Sequence, residues 1–282
     1  MLIAQITDTH ISIPGGLLER NYDTAGCLVR AVRHLNSLEP APDVVLLTGD
    51  TVDEGTAAEY DRLREILVPL KAPLYVIPGN HDDREAMRRA FADHAYLPHT
   101  GFLHYVVDEW PVRLIGLDTH VAGQASGAQC EQRIAWLAAR LAEAPAKPTV
   151  VFMHHPPFRT GLTLMDTLGL AGADELARVI AAHGQVRQIV CGHIHRPIAT
   201  LFARTLATVS PSTAQQAALD LRAESRLAVV MEPPAATLLH WHAAAGELVH
   251  HLSYIGDRPL HVLYDGAQWR LDSPAPPGFS AG

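Results

Sequence analysis

Five times between residues 2 and 195 a short apolar run stops abruptly at a cluster of aspartate, asparagine or histidine. The runs at 2–7, 43–48, 74–77, 149–153 and 188–191 end at D-T-H (8–10), G-D-T-V-D (49–53), G-N-H-D (79–82), H-H-P-P (154–157) and G-H-I-H (192–195). A continuous apolar run such as D-V-V-L-L-T reads as a strand covered on both faces, as in parallel sheet with helices packed over it. Segments of helical period lie between the runs, at 25–38, 57–68, 83–92, 129–142 and 173–183, and paired strands at 105–107 and 113–117 flank Trp110-Pro111. Repetition of strand, loop and helix implies a layered α/β fold, whose functional loops follow the strand C-termini along one edge. The five polar clusters are therefore predicted to meet.

The pattern changes near Arg196. Segments 198–202, 204–209, 227–231, 237–242 and 248–254 read as strands in hairpins. Segment 210–225 has no clear period and reads as a loop or short helix over the site, and the Pro/Gly/Ser-rich tail after Asp272 reads as loose. The expected organisation is a core over 1–209 and a β-rich extension over 210–282 that completes the fold and offers an oligomer interface.

Composition removes several classes of function. Lys+Arg 22 against Asp+Glu 30 gives a net charge of −8, which argues against a phosphate-backbone binder and so against nucleic acid. Apolar stretches such as 44–47 and 227–231 are too short to span a membrane, and Met1 runs straight into a strand with no basic-then-apolar leader. Cys27, Cys130 and Cys191 are odd in number and lack C-x-x-C spacing, so they read as reduced, buried thiols of a cytoplasmic protein.

Seventeen histidines exceed what average composition supplies, and their positions carry the chemistry. Asp8 and His10, two apart on an extended backbone, point to one side. Carboxylates, an amide oxygen and several imidazoles on one edge suit borderline divalent metals such as Mn, Fe, Co or Zn. The simplest structural alternative has Asp50 or Asp82 serving only as helix N-caps. Five clusters in order, each after a strand, are hard to explain that way.

The ordered set D-x-H, G-D-x-x-D, G-N-H-D, H-H-P-P and G-H-x-H resembles the calcineurin-like metallophosphoesterase superfamily. More narrowly it is similar to the branch of class III cyclic-nucleotide phosphodiesterases and bacterial glycerophosphodiesterases. The resemblance implies a four-layer α/β/β/α sandwich with two divalent metal ions (Fe, Mn, Zn or Co). It assigns Asp8, His10 and His195 to the first metal, Asn80, His154 and His193 to the second, and Asp50 to both. Two such ions lower the pKa of a shared water, and the resulting hydroxide attacks phosphorus in line.

On this resemblance His81 neutralises phosphoryl charge or protonates the leaving oxygen. Asp82 holds His81 or starts the next helix, Asp53 accepts from a ligand, and His155 stays open between substrate contact and support. The remaining histidines, among them His34, His94, His99, His104, His120, His183 and His261, read as surface or packing residues, and the tryptophans as core or interface.

Related phosphoprotein phosphatases carry Arg after the second Asp of G-D-x-x-D and Glu in place of Asp82, whereas Glu54 and Asp82 stand here. The expected substrate is a small phosphodiester, either a glycerophosphodiester or a 3',5'-cyclic nucleotide. A phosphomonoesterase or phosphoprotein phosphatase is the alternative, followed by a non-catalytic scaffold. The runs M-H-H-P-P (153–157) and P-G-N-H-D-D (78–83) look closest to the glycerophosphodiesterase members. Gln215, just after S-P-S-T (210–213), stands where relatives often place His. Segments 158–170 and 210–221 are expected to choose the leaving group. The family also implies a homo-oligomer.

Overall fold

The strand Leu2–Ile6 is buried along its whole length because both of its edges and both of its faces are covered. It pairs in parallel with Val44–Thr48, which pairs in parallel with Leu74–Ile77. On its other side the hairpin Ala235–His242 and Glu247–Tyr254 adds two antiparallel strands. The C-terminal hairpin thus belongs to the sheet that begins at Met1, completing its five strands. These coordinates form a computed structural model that describes residues 1–224, 226–256, 259–272, 274, 275 and 277.

A second sheet of six strands runs in the order Ile198–Phe202, Thr205–Val209, Val186–Cys191, Thr149–Met153, Arg113–Leu117, Tyr105–Val107. Its four central strands are parallel and its outer two antiparallel. The sheets lie face to face over one apolar core. Gln5 of the first donates to the Cys191 carbonyl of the second at 2.8 Å, and Tyr105 of the second donates to the Val76 carbonyl of the first at 2.7 Å. Helices Thr24–Ser37, Ala57–Leu67 and Arg84–Ala90 lie side by side, as do Glu131–Glu143 and Ala173–Ala181, and both groups send buried apolar side chains into the core. The result is the expected α/β/β/α layering.

Helix starts follow their caps. Asp23 accepts from Gly26 N–H, Thr56 and Glu59 form a capping box, and Asp83 accepts from Ala86 N–H, each satisfying amides that would otherwise lack a partner. Neither Asp50 nor Asp82 caps a helix. Two short helices, Leu17–Tyr22 and Thr163–Asp166, escape a periodicity reading because each spans less than two turns. The strand expected at 227–231 contracts to Val229–Val230, paired with Gln216–Ala217. Cys27 and Cys191 are buried as expected, but Cys130 is exposed: it occupies the N-cap of Glu131–Glu143, outside the helix's buried face. The tail expected to be loose after 272 falls mostly outside the described residues.

Candidate metal centre

Each apolar strand of the two facing sheets delivers its polar cluster to the same edge. The backbone turns sharply there: Asp8, His10, Asp50, His193 and His195 have φ of 53°, 42°, 46°, 71° and 50°. Left-handed backbone at a non-glycine residue costs on the order of 1–2 kcal/mol. Five such residues in one cluster mark a site over-determined by its surroundings. Glycines make the approach possible. A Cβ on Gly79 would lie 2.2 Å from Asp50 Oδ1, and one on Gly192 would lie 2.1 Å from Thr7 Oγ1 and 2.7 Å from Asp8 Oδ2.

Asp8, His10, Asp50 and His195 each bring one donor atom to within 4.8 Å of the others. His10 Nε2 faces His195 Nε2 at 3.1 Å, and His195 Nε2 lies 3.3 Å from Asp8 Oδ1. Asp50 reaches two ways through one oxygen: Oδ2 stands 3.7 Å from His10 Nε2 and 3.2 Å from His154 Nε2. Asn80 Oδ1 is also 3.2 Å from His154 Nε2, and His154, His155 and His193 form a second convergent group. All seven residues expected as ligands are therefore gathered in one place, with Asp50 in the middle.

Ring orientations are set by backbone carbonyls. His154 donates from Nδ1 to the Thr48 carbonyl at 2.9 Å, and His195 from Nδ1 to the Gln215 carbonyl at 3.1 Å. Both rings then turn Nε2 toward the carboxylates, the arrangement that second partners impose on metal-binding imidazoles. His193 differs, donating from Nε2 to the Leu168 carbonyl at 3.2 Å and keeping its lone pair on Nδ1. His193 N–H in turn binds both oxygens of Asp8, at 3.0 and 3.1 Å.

Charge is concentrated in a buried place. Burial opposes ionisation of Asp50, yet His154, with His10 and His81 behind it, holds the carboxyl well below its usual range. Burial also opposes a charged His154, but Asp50 and Asp8 push it up to about 9. Asp8 and His195 repeat the pattern, the acid lowered and the base raised against the pull of burial. Burial wins at His193, depressed to about 3 mainly by desolvation and next by the His154 charge. Protons thus stand between these donors where a cation would neutralise the carboxylates. His10 Nδ1, buried and without a hydrogen-bond partner, and the mixed N/O donor set fit a borderline divalent metal.

His81 stands at the rim, its side chain 41% exposed. It donates from Nδ1 to the Asp53 carbonyl at 2.7 Å. The Asp53 carboxylate lies 3.5 Å from Nδ1 of both His10 and His81.

Asp82 corrects the expectation: it neither holds His81 nor starts the helix. It accepts from the Thr51 amide and hydroxyl, from Gly79 N–H at 2.8 Å and from Tyr60 O–H at 2.8 Å. A buried carboxylate takes the donors that surround it, and here those of Thr51 and Gly79 belong to the two ligand loops, which it ties together, while Tyr60 comes from the helix Ala57–Leu67. His155 is fully buried, accepting from Thr119 O–H and donating to the Ala125 carbonyl. Desolvation, then the charges of His193 and His154, holds it far below the usual histidine range.

Other supports went unseen in the sequence. His120, expected to be ordinary packing, donates to the Gly79 carbonyl at 3.0 Å. Its own carbonyl and the Asp118 carboxylate are gripped by Arg84. Ser212 of S-P-S-T donates to the Asp8 carbonyl at 2.8 Å. The carbonyls of Thr48, Leu168 and Gln215 could not be read from side-chain identity, because every residue carries one.

A cavity of about 290 Å³ opens over the cluster. The expected segments supply Met165, Leu168, Gln215 and Ala217 to its wall, and Leu18, Leu227 and Val229 join them from elsewhere. Among the described residues, no helix is long and apolar enough to cross a membrane.

Comparison with known proteins points the same way. A family model described as Calcineurin-like phosphoesterase matches residues 1–197. A protein from Arcobacter nitrofigilis, named Probable glycerophosphodiester phosphodiesterase, is 38% identical over 257 residues, 91% of this chain and 94% of the relative. A Rhodopseudomonas palustris protein named Probable cyclic nucleotide phosphodiesterase is 36% identical over 271 residues, 94% and 97% of the two chains. Among solved structures, a dimetal phosphatase from Danio rerio superposes with a TM-score of 0.59 at 15% identity, covering 90% of this chain and 99% of its own. That likeness concerns the fold.

Proposed function

Because the chain belongs to the calcineurin-like phosphoesterase family, we propose that it is a two-metal phosphodiesterase cleaving small diesters of glycerophosphodiester or 3',5'-cyclic nucleotide type. The observation that carries this reading is Asp50, whose single oxygen Oδ2 serves both imidazole groups at 3.7 and 3.2 Å. In this reading Asp8, His10 and His195 would hold one ion, Asn80, His154 and His193 the other, and Asp50 would serve both. Two divalent ions, Fe, Mn, Zn or Co, would supply Lewis acidity toward phosphoryl oxygens and a hydroxide nucleophile near neutral pH.

The chain's own residues do the rest. The Thr48 and Gln215 carbonyls fix the ring faces of His154 and His195, so the donors need no rearrangement on binding. His81 lines the cavity and is anchored through Nδ1 on the Asp53 carbonyl, which leaves Nε2 for the substrate in this reading. From there it holds a proton for the leaving oxygen, with the Asp53 carboxylate behind it to stabilise the charged ring. The extension over 210–282 serves as an oligomer interface in this reading. Absence of C-x-x-C spacing and the free thiols support a cytoplasmic setting.

Metal-stripped protein reloaded with Mn, Fe, Co or Zn should hydrolyse bis(p-nitrophenyl) phosphate, and the ratio of cyclic AMP to glycerophosphocholine turnover assigns the branch. Activity confined to p-nitrophenyl phosphate would make it a monoesterase, and no turnover with both metals bound would leave a scaffold. His81→Ala should keep the metals and slow poor leaving groups most; equal loss across leaving groups would remove His81 as the acid. A monomeric elution profile would remove the oligomer.

A further inference from the structure

A second group of histidines stands on the C-terminal hairpin. Alternation along Ala235–His242 buries Leu239 and Trp241 and turns Leu238, His240 and His242 to the other face. The pairing sets Glu247 opposite His242, Val249 opposite His240 and His251 opposite Leu238, and directly paired residues of an antiparallel ladder share a face. His240, His242, His251 and Glu247 therefore stand together, away from Leu239 and Trp241. His242, Glu247 and His251 are exposed and His240 is half-buried.

The rings of His240 and His242 lie 4.1 Å apart, centre to centre, tilted by 49°. His251 stands across the ladder, near enough for its charge to act on His240: after desolvation, His242, the N-terminal ammonium and His251 lower the His240 pKa. His250 has its Nδ1 occupied by the Gln188 amide at 2.9 Å, whereas none of these three imidazoles has a hydrogen-bond partner among the described residues. Spacing along the chain pairs no carboxylate with these histidines. The hairpin register supplies one, Glu247.

We propose that this face binds a borderline divalent cation of zinc type, with His240, His242 and His251 as ligands and Glu247 as the neighbouring counter-charge. Three imidazoles leave the fourth tetrahedral position to water. Away from the catalytic edge, no three such donors stand within 4.8 Å of one another among the described residues, so the rings turn about their side-chain torsions to close on the ion. That makes the site weaker than the cluster around Asp50. Two ligands come from Ala235–His242 and the third from Glu247–Tyr254, the edge strand, which pairs with no other strand of its sheet. A bound ion thus clasps the edge strand to its neighbour, and reconstitution with metal takes up an ion that has no part in hydrolysis.

Untagged, zinc-loaded enzyme would be dialysed against micromolar zinc at about pH 8, where free imidazole is neutral. Metal analysis should find one more zinc per chain in the parent than in His242→Ala or His240→Gln, both at positions that reach solvent. With free zinc at about ten times the dissociation constant, backbone amides of 247–254 should exchange about tenfold more slowly in the parent and unchanged in the variants. Hydrolysis of bis(p-nitrophenyl) phosphate should be equal in all three proteins, since none of these histidines lines the cavity over the catalytic cluster. Equal zinc content in parent and variants would overturn the inference, as would an extra zinc that leaves the 247–254 amides unprotected. Zinc and turnover lost together would assign the effect to the catalytic centre and overturn it as well. The difference of one ion between parent and variant is independent of which ester the catalytic centre cleaves.

Discussion

Gly79→Ala adds one methyl group and nothing else, yet it should disable the site. The glycine has ordinary backbone, so alanine faces no conformational penalty there. The obstacle is steric: the new Cβ would lie 2.2 Å from Asp50 Oδ1 and 2.3 Å from Asp50 N. Ordinary contact needs about 3.4 Å, so one loop must retreat by about 1 Å, and overpacking of this kind costs about 1–3 kcal/mol. Neither loop can retreat alone, because the Asp82 carboxylate binds Gly79 N–H and Thr51 together. The retreat therefore moves Asp50 or Asn80, and a displacement of about 1 Å in reacting groups costs about 100-fold in rate. The assay is metal-dependent hydrolysis of bis(p-nitrophenyl) phosphate, with metal content and urea unfolding measured on the same protein. Gly184→Ala is the matched control, since a Cβ there meets nothing within 4 Å, and it should leave all three readings unchanged. Gly79→Ala activity within threefold of the parent, at full metal content, would refute the claim that the loops are locked together.

Four further outcomes follow from individual contacts. Asp82→Ala strips one acceptor from the Thr51 amide and hydroxyl, Gly79 N–H and Tyr60 O–H and should cost the metal-free protein about 2–4 kcal/mol; a urea midpoint close to the parent's would contradict it. Metal binding near pH 7 should release a proton from His154, pushed up to about 9 by Asp50 despite its burial, because an imidazole binds metal only when neutral. Binding enthalpies identical in buffers of different ionisation enthalpy would deny that release. The same raised value stabilises the metal-free fold below pH 6.5, and this contribution is lost as pH rises through about 9. Burial depresses His104 to about 4 against 6.5 for the free side chain, so the unfolded chain takes up its proton first. Stability is then whole above pH 6.5 and lost between 6.5 and 4. At pH 5 the loss, discounted for the partly exposed ring, is about 1 kcal/mol. His104→Gln should remove that part of the acid sensitivity, and an identical pH 7 to pH 5 change in urea midpoint would argue against it.

The cluster was legible because its chemistry is local. An apolar run marks a strand, the polar residues after it mark the strand's end, and an α/β fold collects such ends on one edge. The strand ends could therefore be named before their coordinates, and the resemblance to the metallophosphoesterase superfamily singled out Asp8, His10, Asp50, Asn80, His154, His193 and His195 among them. Asp82 was legible as a polar residue of the right loop, but not as the link between two loops, because its partners Thr51 and Tyr60 lie on other elements. His120 carries no motif and acts through its distance to one carbonyl of Gly79.

Sequence alone determined which residues meet and what kind of atom each contributes, since strand order and side-chain type are properties of the chain read along its length. Only the tertiary structure decided which ring nitrogen faces inward, which loops are tied together and what lines the cavity beside the cluster. Those depend on carbonyls that every residue possesses, and on Leu18, Leu168, Leu227 and Val229, whose sequence neighbours say nothing of their meeting. Hydrogen bonds and apolar contacts act over a few ångströms of space, and residues far apart in sequence come that close only once the two sheets have packed.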